Sequence, residues 1–428
     1  MDNLIKKYKM KKNTVLFGAV LTGIIFCIIA QSCSKTDGAT HIKDSKPPKE
    51  TKTFSRDSNF ITLNNNIVVE GYLSLSKWYA YSYNDINYKN LTHIVYAFLR
   101  PTSATDATLT TGDTAYERAA YSLYPDLVHK TFLDYGDQLI ARAHANNVKV
   151  LIGIAGGNGK SARDLAGVFS NDSLRADFVS NLVNLCAAHG YDGVDLDYEY
   201  PTSASDGAGV LNFAQDLRIA FLQSDTLSKK DMLITMACPV GNWSGEYYDY
   251  TKLAKCVNWF SPMTYSFSSA SAATLNAPLN NNPVLNINTS VATSVDYFKN
   301  TRGIDPRQIV IGVPFFGWVY NGYTALNAPA TRIDKAYKDL YNTYIQGAPG
   351  NGFVSQWDDV SKQTYLVNTT TGIMLTYDNE AALSAKCSYI KTNGLKGAMI
   401  WELSRGFIAG ATDPNPLLTT LGNGLLKE

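Results

Sequence analysis

The chain has 428 residues, 45% with apolar side chains and 18% charged, the composition of a globular protein with a sizeable core. Its 38 basic and 37 acidic residues leave a formal charge of +1, which removes any general electrostatic pull toward nucleic acid or anionic lipid. Six cysteines without CxxC spacing argue against a zinc site and a dense disulfide framework.

In chain order, Lys6, Lys7, Lys9, Lys11 and Lys12 precede an apolar stretch from Val15 to Ala30. That stretch is short for a membrane-spanning helix and suits the core of an export signal. It ends at Ala30-Gln31-Ser32-Cys33, which resembles the lipobox where bacterial lipoproteins are cleaved and lipidated. Residues 1–33 are therefore expected to be a lipoprotein-type signal ending at a lipidated Cys33, with a plain membrane anchor or ordinary cleavage as alternatives. The expected location is the bacterial cell envelope, lipid-anchored in the outer membrane, periplasmic or surface-exposed, or else secretion. Residues 34–66, with Pro47-Pro48 and a polar composition, read as a flexible tether. Cys186, Cys238, Cys256 and Cys387 lie further on in apolar or helical surroundings, and buried free thiols are expected, with one disulfide left open.

From Ile67 onward, apolar β-rich runs alternate with helical patterns. The runs are Ile67–Tyr72, Leu91–Phe98, Val148–Ile154, Gly193–Asp197, Leu233–Ala237, Trp259–Met263, Ile309–Val313 and Gly397–Trp401. Helical stretches include Phe132–Asn147, Ser173–His189 and Leu211–Leu222, the last with Leu211, Leu217 and Phe221 on its stripe. Eight apolar strands with helical crossovers predict an α/β fold, a (β/α)8 TIM barrel, spanning residues 67–428. An open doubly wound sheet is the alternative, but the first run lacks the glycine-rich phosphate loop such a sheet would use. The interval from the seventh run to the eighth is too long for one helix. A small α+β insertion between strand 7 and strand 8 is expected over about 319–375, against a set of irregular loops. The content of 27 Tyr, 17 Phe and 6 Trp fits either an aromatic-rich core or a cleft that stacks sugar rings.

The densest chemistry lies in Asp192-Gly-Val-Asp195-Leu-Asp197-Tyr-Glu199-Tyr-Pro201. Side chains alternate along a strand, so Asp195, Asp197 and Glu199 share one face. In a barrel that face is the interior, where like charges and poor solvation raise at least one carboxyl pKa. Glu199 would end the strand on the side where barrel enzymes keep their chemistry, as a protonated acid backed by two aspartates. Cation binding is a weaker reading, because strand spacing lacks the ligand loop and turn glycine of a calcium site. Solubility charges on an exposed edge conflict with Val194 and Leu196. Structural ion pairing lacks a nearby Arg or Lys in the sequence.

This segment resembles the DGxDxDxE signature of family 18 glycoside hydrolases, with the Tyr-Pro ending of their chitinase branch. Val148–Gly157 is similar to the family's SxGG strand, with Gly153 or Ile154 where serine is common. Met263-Thr-Tyr265-Ser266 resembles MxYD, Ile311–Gly317 resembles GxPfYG, and Gly397–Glu402 resembles the tryptophan-ended last strand. The resemblance spans Gly71 to Phe407. It implies hydrolysis of β-1,4-linked N-acetylglucosamine polymers assisted by the substrate's own acetamido group, an exception to the two-carboxylate scheme.

Glu199 would be general acid and base, Asp197 the partner of the acetamido N–H, and Asp195 its support through a shared proton. Tyr265 would bond the acetamido group and Trp401 would floor the sugar site. Tyr72, Phe98, Gly157, Met263 and Tyr200 are the other expected substrate-binding residues. Asp192 falls off the row's face and is expected to be structural. The implied partner is chitin or an N-acetylglucosamine-containing glycan, with no nucleic acid, no metal and no organic cofactor; the chain is expected to be a monomer joined to a membrane by the N-terminal lipid. Departures from the family pattern are Ser266 for a usual aspartate, Phe316 for a tyrosine and Trp318 for an arginine. Two further readings are an endo-β-N-acetylglucosaminidase acting on N-glycan cores and an inactive lectin-like binder.

Overall fold

The computed structural model describes residues 53–74, 81–111, 132–157, 159–348 and 350–427. The expectations for the signal, for Cys33 and for the first part of the tether lie outside these residues. The strands begin with β1 (Val68–Ser74), β2 (His93–Ser103), β3 (Asp106–Thr110) and β4 (Lys149–Gly156). Next come β5 (Gly193–Tyr198), β6 (Leu233–Cys238), β7 (Trp259–Pro262) and β8 (Val310–Pro314). Then follow β9 (Phe316–Asn321), β10 (Thr331–Ala336), β11 (Val354–Asp358), β12 (Gln363–Asn368), β13 (Ile373–Tyr377) and β14 (Gly397–Trp401).

Eight of these strands pair in parallel in the order β7-β6-β5-β4-β2-β1-β14-β8, and a parallel bridge between Phe260 and Ile309 nearly closes the ring. The expected barrel is present, and its strands start and end close to the predicted runs. β3 folds back antiparallel on β2. The strands read as continuous apolar runs because both faces are covered. One face fills the lumen with Val68, Tyr72, Val95, Leu151, Trp259 and Met399. The other packs against the helices through residues such as Ile94, Ile152, Val194 and Ile311.

The longer helices are α1 (Phe132–His144), α2 (Lys160–Ser170), α3 (Asp172–His189), α4 (Ala204–Gln223), α5 (Glu380–Thr392) and α6 (Pro416–Leu425). Asn171 caps α3 by accepting the Leu174 N–H, and Gly190 ends it in the left-handed region at φ 84°. Ser203 caps α4 in the same way through the Asp206 N–H, so this helix begins well before the apolar stripe that revealed it.

Two residues of the acidic motif serve the frame of β5. A side chain on Gly193 would bring its Cβ to 2.3 Å from the Leu233 carbonyl oxygen, so only glycine lets β5 and β6 approach this closely. Asp192 accepts the Val150 N–H at 2.8 Å and bonds His144 Nε2 at 2.7 Å, tying β5 to β4 and α1. This is the structural place expected for it.

Strands β9 to β13 form the insertion, an antiparallel sheet in the order β10-β9-β13-β12-β11 that spans Phe316–Tyr377. One of its faces carries Tyr320, Val367 and Met374 against Ala273 and Leu275 of the segment after β7. The opposite face sends Val319, Leu366, Leu375 and Tyr377 into the main core. Asp378, just past β13, forms a fully buried ion pair with Lys386 on α5 and accepts from Gln363 Nε2 at 2.9 Å.

Residues 53–66, the end of the expected tether, lie against the barrel. The Phe60 N–H donates to the Lys255 carbonyl at 2.8 Å, Lys396 Nζ donates to Asn64 Oδ1 at 2.6 Å, and Phe60 packs on the core. The polar composition concealed an apolar contact at Phe60 and backbone groups satisfied by Gln215 of α4, by Lys396 just before β14 and by the turn before β7. Cys186, Cys238, Cys256 and Cys387 are buried free thiols.

Because a buried charge without its partner is costly, Asp378→Ala should destabilise the protein by about 3–5 kcal/mol in a denaturant titration. Replacing Lys386 by Met in the same chain should recover most of that loss. If Asp378→Ala is neutral, this pair does not hold the insertion to the barrel.

Candidate active site

β5 ends inside the ring and delivers the carboxyl row. Asp195 is fully buried and Asp197 is 6% exposed, while Glu199, one residue beyond the strand, is only partly covered. Asp195 accepts the Tyr72 hydroxyl at 2.6 Å and the Thr235 hydroxyl at 2.5 Å. Its hydrogen bonds therefore run to β1 and β6 rather than to Asp197. Asp197 bonds instead to Glu199, which receives a second hydrogen bond from Tyr200. No hydroxyl or N–H of the described residues reaches Asp197 Oδ1.

Two ionised carboxylates repel, so the closeness of Asp197 and Glu199 favours a state in which the pair retains one proton. The electrostatics agree. Burial, then the charges of Glu199 and Asp195, push Asp197 well above the usual carboxylate range. Burial also raises Glu199, with the bonds to Tyr200 and Asp197 pulling the other way. Asp195 is pushed up to about 6 by burial, against the pull of the Thr235 and Tyr72 hydroxyls. Among the described residues, the groups acting on this row include no cation. Burial keeps the phenols of Tyr72 and Tyr265 protonated as hydrogen-bond donors.

Above the row opens a cavity of about 270 Å³ lined by Tyr72, Asp197, Glu199, Met263, Tyr265 and Trp401. Of the other predicted residues, Phe98 stacks on Trp401 with ring centroids 6.0 Å apart. A Cβ on Gly157 would lie 3.6 Å from Glu199 Oε1, so this glycine leaves space beside the acid. Tyr200 borders the site and meets the exposed Trp243 edge to face at 4.7 Å. The structure thus brings every predicted catalytic and substrate-binding residue to one end of the barrel, with Asp195 beneath the floor.

The three departures line the same cavity. Ser266 sits at φ 58°, and Phe316 and Trp318 meet edge to face at 5.7 Å. Arg332 stacks on Trp318, its guanidinium carbon 3.8 Å from the ring centroid. Sequence reading missed Ala237, Asp334, Met399 and Arg405, which complete the wall. Arg405 pairs with Asp334 at 2.6 Å across the mouth, a contact between segments 71 residues apart with no local signal. It also missed Glu70, a buried carboxyl two residues before Tyr72, whose Oε2 lies 3.5 Å from both Trp259 Nε1 and Ser261 Oγ. Burial and the Asp195 charge hold Glu70 well above the ordinary range. The alternation of Glu70 and Tyr72 on β1 was the available clue.

A larger hollow of about 450 Å³ lies at the opposite end of the barrel, among residues such as Lys149, Arg307 and Lys396. It contains none of the row's carboxyls, and the C-terminal strand ends are where barrels carry chemistry. Among the described residues no cluster of His, Cys, Asp or Glu is arranged to hold a metal ion.

Comparison with known proteins agrees with this geometry. The profile of the Glycosyl hydrolases family 18 matches residues 70–406. Chitinase A1 of Niallia circulans is 27% identical over 288 residues, which cover 60% of this chain and 40% of that protein. The chain thus spans less than half the length of that relative. The structure of chitinase ChiA74 from Bacillus thuringiensis superposes with a TM-score of 0.71 at 24% identity, covering 84% of this chain and 70% of that one. The chitinase-like agglutinin RobpsCRA of Robinia pseudoacacia gives 0.67 at 23%, covering 83% and 98%. At these identities the structural likeness establishes the fold.

The shared proton predicts a pH effect. A general acid works only while protonated, and the negative charge on Asp197 delays loss of the last proton from the pair. Asp197→Asn removes that charge, so the alkaline limb of kcat/KM should move to lower pH along with a loss of rate. An unmoved or upward-shifted limb would show that the pair does not share its proton.

Proposed function

Because the chain belongs to the glycosyl hydrolases of family 18, we propose that it hydrolyses β-1,4-linked N-acetylglucosamine polymers, chitin or chitooligosaccharides. The observation that carries this reading is the pair of facing carboxyls, Asp197 and Glu199, both raised above the usual carboxylate range by burial, in an aromatic pocket. Glu199 gives its proton to the glycosidic oxygen as the C1–O bond breaks. The acetamido carbonyl oxygen of the same sugar bonds to C1 from the opposite face, forming an oxazolinium ion. Asp197, ionised while Glu199 holds the shared proton, accepts the acetamido N–H, and the two carboxylates left after the transfer offset the oxazolinium charge. The Tyr265 hydroxyl donates to the acetamido oxygen and holds it in line. Water then attacks C1, Glu199 takes the water's proton, and the sugar is released with its original anomeric configuration. Proton transfer by a placed carboxyl and an intramolecular nucleophile are each large effects.

The pocket's apolar surfaces suit the C–H faces of a pyranose. Trp401 forms the floor with Phe98 stacked beside it, and Tyr72 meets Trp401 at 5.4 Å. Trp243, 62% exposed beside Tyr200, offers a ring to a further sugar of a bound chain. The five-stranded insertion supports a linear polymer over a short glycan core, since Phe316, Trp318 and Asp334 add its side chains to the wall of the pocket that holds the acid. A purely binding protein would have no use for the protonated pair.

The purified protein should release N-acetylchitobiose from chitooligosaccharides, and Glu199→Gln should lower kcat by about 10²–10⁴-fold with KM little changed. Trimming of glycoproteins alone would transfer the reading to an endo-β-N-acetylglucosaminidase. Binding of chitin without hydrolysis of either substrate would make the protein a lectin.

A further inference from the structure

Behind the sugar pocket lies a side chain that does not line it. Asn276, in the segment after β7, is fully buried. Its Oδ1 accepts the backbone N–H of Ser266 at 3.1 Å and the indole N–H of Trp318 at 2.9 Å. Its Nδ2 donates to the Phe316 carbonyl at 3.2 Å. Ser266, Phe316 and Trp318 all line the pocket, so one amide holds three pieces of its wall, drawn from β9 and from the turn after β7. The amide is itself anchored, since its backbone N–H donates to Thr376 Oγ1 at 2.9 Å and its carbonyl accepts the Phe267 N–H at 3.0 Å.

The consequence falls on Tyr265. The Ser266 N–H belongs to the rigid peptide that joins the two residues, so fixing it fixes the plane from which Tyr265 departs. Ser266 has φ 58°, a left-handed conformation that a residue with a side chain keeps only when its surroundings impose it. Phe316, tied through its carbonyl, presses its ring on Tyr265 edge to face at 5.7 Å. Both the backbone and the ring neighbour of Tyr265 therefore depend on Asn276.

We propose that Asn276 is a positioning residue for the hydrolytic step, holding Tyr265 and Trp318 in the reacting geometry without touching the sugar. This rests on the acetamido-assisted reading, in which Tyr265 meets the nucleophilic group. A tyrosine displaced by a fraction of an ångström still binds sugar but no longer holds the acetamido oxygen in line with C1. The cost should therefore appear in kcat rather than in KM.

The test is a double-mutant cycle between Asn276→Ala and Tyr265→Phe, with kcat and KM measured on a chromogenic chitobioside and thermal unfolding followed in parallel. Asn276→Ala should lower kcat by about tenfold or more with KM within about twofold, and the double variant should lose little beyond Tyr265→Phe alone. Asn276→Asp, which keeps an acceptor for both N–H groups, should retain more of kcat than Asn276→Ala. Should Asn276→Ala fail to fold, the same cycle is run with Trp318→Phe, which removes the indole N–H together with part of the ring and should also combine with Tyr265→Phe by less than the product. Losses that multiply in an active protein would overturn the proposal, as would a lowered unfolding temperature with unchanged kcat per folded molecule. A wild-type protein inactive on every N-acetylglucosaminide would instead remove the reading on which the proposal stands.

Discussion

Carboxylates that face one another inside an apolar barrel cannot all be ionised, and this constraint organises the molecule. Asp195 and Asp197 lie along one line of β5, Glu199 follows just past its end, and Glu70 is buried nearby on β1. Their interactions include no cation among the described residues. A proton must be retained, and geometry decides where. Asp195 is stabilised by two hydroxyl donors, Tyr72 and Thr235, whereas Asp197 and Glu199 have each other. The proton therefore belongs to the Asp197–Glu199 pair, both members of which line the pocket. An acid that must act near neutral pH needs this kind of destabilised charged form.

Much of the scaffold serves that placement. Gly193 permits the close approach of β5 to β6 that puts Thr235 opposite Asp195, with the two paired in register. Asp192 locks the start of the same strand to β4 and α1. The motif therefore divides between holding the strand and doing the chemistry. The insertion follows the same logic at larger scale. Its β9 continues almost directly from β8, so Phe316 and Trp318 stand over the floor, and the buried Asp378–Lys386 pair secures its far end to α5.

The legible parts of the sequence were those with local causes. Continuous apolar runs announce strands covered on both faces, and eight of them announce a barrel. Alternation placed the three carboxyls on one side of β5, and the likeness to family 18 supplied Tyr265 and Trp401. What remained hidden depends on contacts distant in sequence. Asn276 gains its role from partners 10, 40 and 42 residues away, and nothing in its own neighbourhood marks it. The Asp334–Arg405 pair is equally non-local. Helix α2 escaped notice because its exposed side is rich in charge and serine, although Leu165, Val168 and Phe169 are buried. Over residues 53–66 of the expected tether, polar composition conceals contacts with the barrel, such as those of Phe60 with Lys255 and of Asn64 with Lys396.

The central claim is that the row holds a proton at neutral pH before any substrate arrives. Carbon-13 NMR of the side-chain carboxyls, assigned by single replacement of Asp195, Asp197 and Glu199, reads this directly in the free protein. The account predicts that at least one resonance of the Asp197–Glu199 pair keeps the shift of a protonated or proton-sharing carboxyl at pH 7 and titrates only above it. If all three resonances reach their ionised shifts below about pH 5, the range of ordinary carboxylates, then the proton is not stored there and the account is wrong.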